Sequence, residues 1–417
     1  MVVPCSLSCT AAEKDVASEG TMKGKVYAGY QGWFGTPGDG SGAGFEHYRV
    51  RHKGGPTFEP GYSAIDLWPD LSEFDEDEKY PTPFKHADGS TAYVFSSAKA
   101  KTVDRHFKWM KDYGIDGVFL QRFIATLKSN HKRKHRDRVF ANVRASADKH
   151  GREWAIMYDL SGVDNDDIRK YLVNDFKQQV DANDPRKSSN YIRHNGKPVV
   201  AVWGVGFGDD RDYDLTTCLE IVRFLKNDPV YGDNAVMLGV PYYWRIGERD
   251  AVDDPLLNTI IKEADIISPW SVGRYKKPSV AEKRIAEQVR GDLESTNETD
   301  TAYLPVIFPG FSWQNLQKSR GVDADLASIP RLGGEFLWAQ ASTARQAGAE
   351  MVYIAMFDEM DEGTAIMKCT NDPPVGKSNF LTYDGLPSDH YLWLSGQIGR
   401  LFRGELRADA PMPKRND

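Results

Sequence analysis

Cysteine is scarce in this chain of 417 residues, which contains only Cys5, Cys9, Cys218 and Cys369. So few thiols exclude a disulfide-stabilised scaffold, and because no two of them form a C-x-x-C pair, they do not indicate a metal site. The sequence also lacks any stretch of about 20 consecutive apolar residues, the length that a membrane-spanning helix needs. We therefore expect neither a bound metal nor a membrane span.

Positive charge does not predominate either. The chain has 53 lysines and arginines against 60 acidic residues, which gives a net charge of -7. Proteins that bind nucleic acid need a basic face, so we expect no nucleic-acid partner. One dense basic run, His131–Arg138, falls where a helix should begin. We interpret it as a solvated helix face, and a patch for an anionic glycan is the less favoured alternative.

The two ends of the chain carry little that belongs to a core. Residues 1–22 have neither the basic start nor the apolar run of a secretory signal, so we expect a poorly ordered leader. Residues 406–417 are expected to be a short tail. Between them, no repeat and no low-complexity linker interrupts residues 23–405. This stretch is therefore predicted to be a single domain.

Short apolar runs alternate along that domain with amphipathic stretches, which is typical of βα units on a parallel sheet. The predicted strands are Lys25–Ala28, Gly117–Leu120, Trp154–Tyr158, Pro198–Trp203, Ala235–Val240, Asp265–Ser268, Leu304–Phe308 and Met351–Phe357. The predicted helices are 102–113, 136–150, 164–182, 214–227, 254–263, 280–296, 331–347 and 387–403. This alternation predicts an α/β protein with a single (β/α)8 TIM barrel. No glycine-rich dinucleotide motif follows the first strand, so we expect no cofactor.

The first connection, from residue 30 to residue 101, is exceptionally long and rich in glycine, proline, aspartate and aromatic residues. A loop of this length is usually functional or carries structure of its own, although a decorative insertion is the alternative. It leaves the C-terminal end of a strand, where barrel active sites are built. We therefore expect it to form a wall over the active site, with a small hairpin around Thr91–Ser96.

Four carboxylates crowd into the five positions that follow the last predicted strand: Asp358, Glu359, Asp361 and Glu362. Like charges at a partly buried strand end repel each other, and desolvation raises their pKa values further. Hydrolysis of a glycosidic bond needs such a pair, one carboxyl to protonate the leaving oxygen and another to act on the sugar. A helix N-terminus that gathers acidic residues is the alternative interpretation.

Aromatic and polar side chains also follow most of the predicted strands. Sugar rings stack on aromatic faces and their hydroxyls bind polar groups, although any one such aromatic is more often part of the core. We interpret the following as substrate-binding: Tyr30, Trp33, Gln121, Arg122, Asp159, Trp203, Tyr243, Trp244, Trp270, Trp313 and Asp358. No G-x-S-x-G or H-E-x-x-H motif occurs. His47, His86 and His106 are interpreted as surface or hydrogen-bonded histidines rather than metal ligands.

Four segments resemble a known family. Phe357–Thr364, with the sequence F-D-E-M-D-E-G-T, resembles the F-N-E-W-x-E-G-T segment of glycoside hydrolase family 99, the endo-α-mannosidases. It resembles more loosely the W-N-D-Y-x-E-S segment of family 71, the fungal α-1,3-glucanases. Ala28–Phe34 is similar to the Y-Y-P-W-Y opening of family 99, Ile115–Val118 to its second strand, and Phe308–Phe311 to its P-G-Y turn. The resemblance covers residues 25–403.

The resemblance implies a glycosidase in which Glu362 is the general acid/base. Glu359 would assist the 2-hydroxyl of an α-linked sugar as internal nucleophile, through a 1,2-anhydro intermediate and with retention. Asp358, Met360 and Asp361 replace the asparagine, tryptophan and histidine of the family, which implies a glycan other than mannan. A polysaccharide substrate implies an extracytoplasmic location. The alternative function is a catalytically silent carbohydrate-binding barrel, but the intact glutamate pair favours the enzyme.

Overall fold

The computed structural model describes residues 20–52 and 54–415. The predicted leader falls almost entirely outside these residues, as do Cys5 and Cys9. Among the helices that the structure describes, none has the length and apolar character needed to cross a membrane. Part of the predicted tail packs on the domain, since Trp338 Nε1 donates a hydrogen bond of 3.1 Å to the carbonyl oxygen of Ala410.

Strands and helices alternate along much of the described chain, and four further short strands lie within residues 50–94. The strands are β1 (Val26–Tyr30), β2 (Val50–His52), β3 (Gly55–Thr57), β4 (Tyr80–Lys85), β5 (Thr91–Val94), β6 (Gly117–Phe123), β7 (Glu153–Asp159), β8 (Arg193–His194), β9 (Lys197–Trp203), β10 (Ala235–Pro241), β11 (Ile266–Trp270), β12 (Ala302–Tyr303), β13 (Val306–Ile307) and β14 (Val352–Ile354). The helices are α1 (Ala100–Tyr113), α2 (Ile124–Leu127), α3 (Asn130–His150), α4 (Asn165–Asp167), α5 (Val173–Asn183), α6 (Leu215–Asn227), α7 (Pro255–Glu263), α8 (Pro278–Asn297), α9 (Gln314–Ser319), α10 (Glu335–Gln346) and α11 (His390–Phe402).

The parallel sheet closes through an interrupted strand. Its order is β12-β11-β10-β9-β7-β6-β1-β14-β13, with β12 paired to β11 and β13 paired to β14. Between β12 and β13, Leu304 N donates to Ile267 O at 2.9 Å, and Tyr353 N donates to Pro305 O at 3.0 Å. One segment therefore joins both ends of the sheet and makes a barrel. The predicted (β/α)8 barrel is confirmed, and every predicted strand has its counterpart.

The barrel strands are apolar because both of their faces are buried. Every residue of β10 is buried, as is every residue of β1. The helices begin and end where local chemistry dictates: the Asp214 carboxylate accepts from Thr217 N at the start of α6, and α1 ends at Gly114, whose φ is 78°. The predicted helix 164–182 is divided, because a π-helical turn, Ile168–Leu172, separates α4 from α5.

The long first connection is a structured wall rather than an open loop. It contains two antiparallel hairpins, β2–β3 and β4–β5, and β5 begins where the hairpin around Thr91–Ser96 was expected. Asp66 fastens it to the barrel, since its carboxylate accepts from Ser312 Oγ at 2.5 Å, Gln314 N at 2.6 Å and Asn315 N at 2.9 Å. Asp66 N donates in turn to Met360 O at 3.0 Å. The connection therefore lies against the loops that follow β13 and β14.

Candidate active site

A cleft opens at the C-terminal ends of the barrel strands. It is lined by Gln31, Trp33, Gln121, Phe123, Asp159, Ser161, Trp203, Trp270, Met356, Glu359 and Glu362. These residues lie at or just beyond the ends of β1, β6, β7, β9, β11 and β14. The cleft is therefore centred on the barrel, at the face where barrel enzymes bind their substrates.

Glu359 is held rigidly in this cleft. Its side chain is buried, Oε1 accepts a hydrogen bond of 2.6 Å from Gln31 Nε2, and Oε2 accepts one of 2.7 Å from Thr364 Oγ1. Burial raises the pKa of Glu359 well above its usual range, and the charge of Glu362 raises it further. Two donors thus fix the position of a carboxyl group whose ionisation is unfavourable.

Glu362 is less enclosed. Its carboxyl group lines the cleft and accepts no hydrogen bond from the residues described, while its backbone oxygen accepts from Ser312 N at 2.9 Å. Gly363 makes the turn behind it with a φ of 61°, and a Cβ there would lie 2.9 Å from Cβ of Ser312. Burial and then the charge of Asp361 raise the pKa of Glu362 to about 7. The group can therefore hold a proton near neutral pH and present it to the cleft.

Asp358 does not face the cleft but joins two strand ends. It is fully buried, and its carboxylate accepts hydrogen bonds of 2.7 Å from Gln31 N and 2.9 Å from Gly32 N. Burial raises the pKa of Asp358 to about 7. Since these bonds place the end of β1 beside the end of β14, Asp358 sets the position from which Gln31 reaches Glu359. We therefore correct its expected role from binding substrate to positioning the site.

The cleft brings together five of the residues interpreted as substrate-binding: Trp33, Gln121, Asp159, Trp203 and Trp270. Trp203 and Trp270 meet edge to face with their ring centroids 5.4 Å apart. Gly239 makes room for this pair, because a Cβ there would lie 2.2 Å from Cδ1 of Trp203. Burial raises the pKa of Asp159 to about 6, although Ser161 N donates to its carboxylate at 2.8 Å.

Several polar atoms of the lining are unsatisfied. Gln121 Oε1, Trp33 Nε1 and Trp203 Nε1 are buried and have no hydrogen-bond partner among the described residues. Buried polar groups in native proteins are nearly always hydrogen-bonded, and exceptions need an explanation. Donors and acceptors of this kind beside aromatic faces suit a ligand with both hydroxyl groups and apolar ring faces.

Tyr30 and Arg122 lie outside the cleft because successive side chains of a strand point to opposite faces. The Tyr30 hydroxyl is buried against His106 Nδ1, 2.9 Å away. Arg122 pairs with Asp175 at 2.5 Å and with Asp137 at 2.7 Å. Both residues therefore point into the layer between strands and helices, where they stabilise the barrel instead of binding substrate.

Tyr243, Trp244 and Trp313 are not among the lining residues either. Trp244 is buried in the turn after β10, and Tyr243 lies under the guanidinium of Arg249, 4.5 Å from its ring centroid. Trp313 precedes α9 and packs on Phe311 with their centroids 5.1 Å apart. The turns after β10 and β13 place none of these three rings in the lining of the cleft. Of the tryptophans interpreted from the sequence as substrate-binding, Trp244 and Trp313 therefore lie outside the cleft, whereas Trp33 lines it.

Other residues of the site were not predicted. Gln31 and Thr364 hold Glu359, while Phe123, Ser161 and Met356 complete the lining. Gln31 and Phe123 stand two residues beyond Gly29 and Gln121, so strict alternation along β1 and β6 could have identified them. Thr364 could not have been found in this way, because its contact with Glu359 depends on the turn at Gly363.

The described residues therefore form a closed barrel with a pair of carboxyl groups in a cleft lined by aromatic side chains. No protein-family model and no curated protein sequence matches it. The chain is similar in structure to the GH99 endo-alpha-mannosidase from Bacteroides thetaiotaomicron, at a TM-score of 0.64 and 15% identity, over 92% of this chain and 99% of that one.

Two further structures match over almost the whole chain. A structure of the GH99 endo-alpha-mannosidase in complex with BIS-TRIS-Propane gives a TM-score of 0.62 at 14% identity, over 92% of this chain and 99% of that one. A glycoside hydrolase-like protein gives 0.54 at 14% identity, over 93% and 96% of the two chains. The fold that the resemblance to family 99 implies is therefore confirmed.

Proposed function

We propose that this protein is a glycoside hydrolase that cleaves an oligosaccharide or polysaccharide with Glu359 and Glu362. The observation that carries the proposal is their placement: both glutamates, with raised pKa values, lie in one cleft at the C-terminal face of the barrel. Carboxyl pairs with perturbed pKa values are typical of sites for general acid and base catalysis.

Glu362 is the general acid in this proposal. Its carboxyl group faces the cleft without a hydrogen-bond partner among the described residues, and its pKa of about 7 keeps it protonated below neutral pH. An acid of this strength gives up its proton readily to a glycosidic oxygen while it still holds one at working pH. The proton passes to the leaving oxygen as the bond to the anomeric carbon breaks.

Glu359 is the base in this proposal, and it acts on the sugar whose anomeric carbon loses the leaving group. The coupled pair shares one proton in this scheme, and the hydrogen bonds from Gln31 and Thr364 favour the charge on Glu359, whereas Glu362 has no such donor among the described residues. The Glu359 carboxylate then accepts the proton of the 2-hydroxyl, whose oxygen attacks the anomeric carbon. Glu362, now ionised, takes a proton from water, which opens the 1,2-anhydro ring at the same carbon, and Glu359 returns its proton to the 2-oxygen. The two displacements give net retention. This scheme follows the family resemblance and differs from retaining enzymes in which the carboxylate itself attacks.

The rest of the lining recognises the glycan. Trp33, Trp203 and Trp270 offer rings for stacking, whereas Gln121 and Asp159 offer oxygen acceptors for hydroxyl groups. We propose an α-linked glycan, because the solved structures that share this fold include an endo-alpha-mannosidase. We further propose that the protein acts outside the cytoplasm, where such polysaccharides are met.

A panel of α- and β-linked oligosaccharides and polysaccharides, with product analysis by mass spectrometry and by NMR of the first-formed anomer, tests the proposal. We expect cleavage of at least one α-linked member, with initial release of the α-anomer. Binding of a glycan without cleavage by the wild-type protein would instead support the silent carbohydrate-binding barrel. Inversion at the anomeric carbon would refute the 2-hydroxyl mechanism while leaving the glycosidase in place.

A further inference from the structure

The first connection also places His47 against the acidic segment that carries both glutamates. His47 belongs to the segment of the chain that connects β1 to β2. Its side chain is 27% exposed, and its Nδ1 is 3.2 Å from Oδ2 of Asp361. Its ring stacks on that of Trp33, with the centroids 3.9 Å apart and the planes 5° from parallel. His47 therefore touches both the aromatic lining of the cleft and the acidic segment that carries the catalytic pair.

In the sequence, Asp361 lies between the two glutamates, directly before Glu362. Its side chain is buried, and within the described part of the chain its Oδ1 has no hydrogen-bond partner. The contact with His47 is thus the only side-chain hydrogen bond to this carboxyl group in residues 20–52 and 54–415. The charge of Asp361 raises the pKa of Glu362 and that of Glu359. A group that changes the ionisation of Asp361 therefore also changes the pKa values of Glu362 and Glu359.

The surroundings of His47 favour its neutral form. It is faced by Glu46 and Arg49 from its own loop, by Lys132 and Arg136 from α3, and by Asp361 from the segment after β14. Burial and then the charge of Arg136 lower the pKa of His47. A neutral imidazole carries one N–H, and at Nδ1 this donor stabilises the ionised form of Asp361. Burial, together with the charge of Asp66 on the other side, opposes that ionisation and raises the pKa of Asp361 to about 8.

We infer that His47 is a positioning residue for the glutamate pair, which it influences through its hydrogen bond to Asp361. This inference rests on the proposed function and adds a regulator of the same site that comes from the first connection. With its proton on Nδ1, His47 donates to Asp361 and favours the ionised form of that carboxyl group, and negative charge on Asp361 in turn favours the protonated form of Glu362, as a general acid requires. The stacking of His47 on Trp33 holds the imidazole in the orientation that this hydrogen bond requires.

Substitutions of His47 distinguish the effect of its hydrogen-bond donor from the effect of its stacking ring. His47→Asn retains an N–H donor near the Nδ1 position and tolerates the backbone φ of 60°. His47→Phe retains a stacking ring and loses the donor. His47→Gly loses both and adopts this φ without strain, so it replaces His47→Phe if that variant fails to fold. His86→Phe is the matched control, since the His86 side chain is 22% exposed and lies away from the cleft.

The first readout is the pH profile of kcat/KM on the best substrate found. We expect His47→Phe and His47→Gly to move the alkaline limb to lower pH, by up to about one pH unit, because the pKa of Asp361 then rises further, Asp361 carries less charge and the pKa of Glu362 falls. His47→Asn and His86→Phe should leave the limb in place. Asp361→Asn should lower it by a similar amount, and adding His47→Phe to Asp361→Asn should cause no further shift.

Two results would overturn the inference. One is an alkaline limb that is unchanged or moved to higher pH in both His47→Phe and His47→Gly, and the other is a full second shift of that limb when His47→Phe is added to Asp361→Asn.

The second readout does not depend on activity. In protein labelled with ¹³C at the glutamate carboxyls, the Glu362 signal, identified by its loss in Glu362→Gln, should titrate at lower pH in His47→Gly. If the wild-type protein cleaves no glycan, the proposed function fails, and this titration alone decides the role of His47.

Discussion

The hydroxyl of Thr364 offers the cleanest perturbation of the site. It donates a hydrogen bond of 2.7 Å to Oε2 of Glu359, and the Thr364 side chain is fully buried. Thr364→Val replaces the hydroxyl by a methyl group of nearly the same size. The substitution therefore removes one donor from the carboxylate and changes the packing little, so its effect reports on Glu359.

A hydrogen bond to a charged group is worth about 1.5–3 kcal/mol. If the bond is made in full when Glu359 bears its charge, its loss should lower kcat/KM by about 10- to 150-fold. The sign of the pH effect follows from the same bond. Without the donor, the ionised form is less favourable, the pKa of Glu359 rises further, and the acidic limb of the profile moves to higher pH.

The assay is kcat/KM against pH, with thermal unfolding measured on the same preparations. Thr301→Val serves as the control, because Thr301 is also buried but precedes β12 at the opposite end of the barrel, where its hydroxyl contacts that of Thr299 at 2.8 Å. A Thr364→Val enzyme with wild-type kcat/KM and an unmoved acidic limb would refute the role assigned to this hydrogen bond and, with it, the role of Glu359.

Three further outcomes are expected. The pH profile of the wild-type enzyme should be bell-shaped. Activity should be lost as pH rises through about 7, because Glu362 then gives up its proton, and both limbs report on the coupled pair of glutamates. A profile that is flat from pH 5 to pH 9 would contradict this prediction. Trp203→Ala should raise KM about tenfold, equivalent to about 1.4 kcal/mol of lost stacking, with a smaller effect on kcat. Arg122→Met should lower the free energy of unfolding by about 3–5 kcal/mol in denaturant titrations, because it leaves Asp175 buried and unpaired; a variant with normal stability and abolished binding would restore Arg122 to the substrate site.

The barrel was predictable because its signal is local and repeated. Each strand of a parallel barrel is buried on both faces, so β10 and the other barrel strands appear in the sequence as short apolar runs between amphipathic helices. The break at Leu304–Pro305 was not predictable from such a run. It depends on hydrogen bonds to Ile267 and Tyr353, which lie far away along the chain.

The candidate site was predictable only in part. Glu359 and Glu362 were identified because carboxylates directly after a buried strand are costly, and Trp203 and Trp270 because they end their strands. A sequence position at or beyond the end of a predicted strand does not reveal whether the side chain points into the barrel or towards the helices. Arg122 was misassigned for that reason.

Among the residues of the first connection that line the cleft, Trp33 was identified from the sequence, but the contacts made by later residues of this connection could not be predicted. Contacts such as that between His47 and Asp361, 314 positions apart in the sequence, arise only when the connection folds back on the barrel. Its hairpins pack through aromatic rings that include Phe58 and Trp68. Composition alone does not reveal which of those rings face the cleft and which form the core of the wall.

The most direct test of the account compares Glu359→Gln and Glu362→Gln with the wild-type enzyme on the best substrate of the glycan panel. The amides retain shape and hydrogen bonding but cannot exchange the catalytic proton, so each variant should lose about 10²- to 10⁴-fold in kcat while its thermal unfolding and glycan binding stay nearly unchanged. A substrate with an activated leaving group should partly rescue Glu362→Gln and not Glu359→Gln. Near-normal turnover in both variants would contradict the assignment of this pair as the catalytic residues.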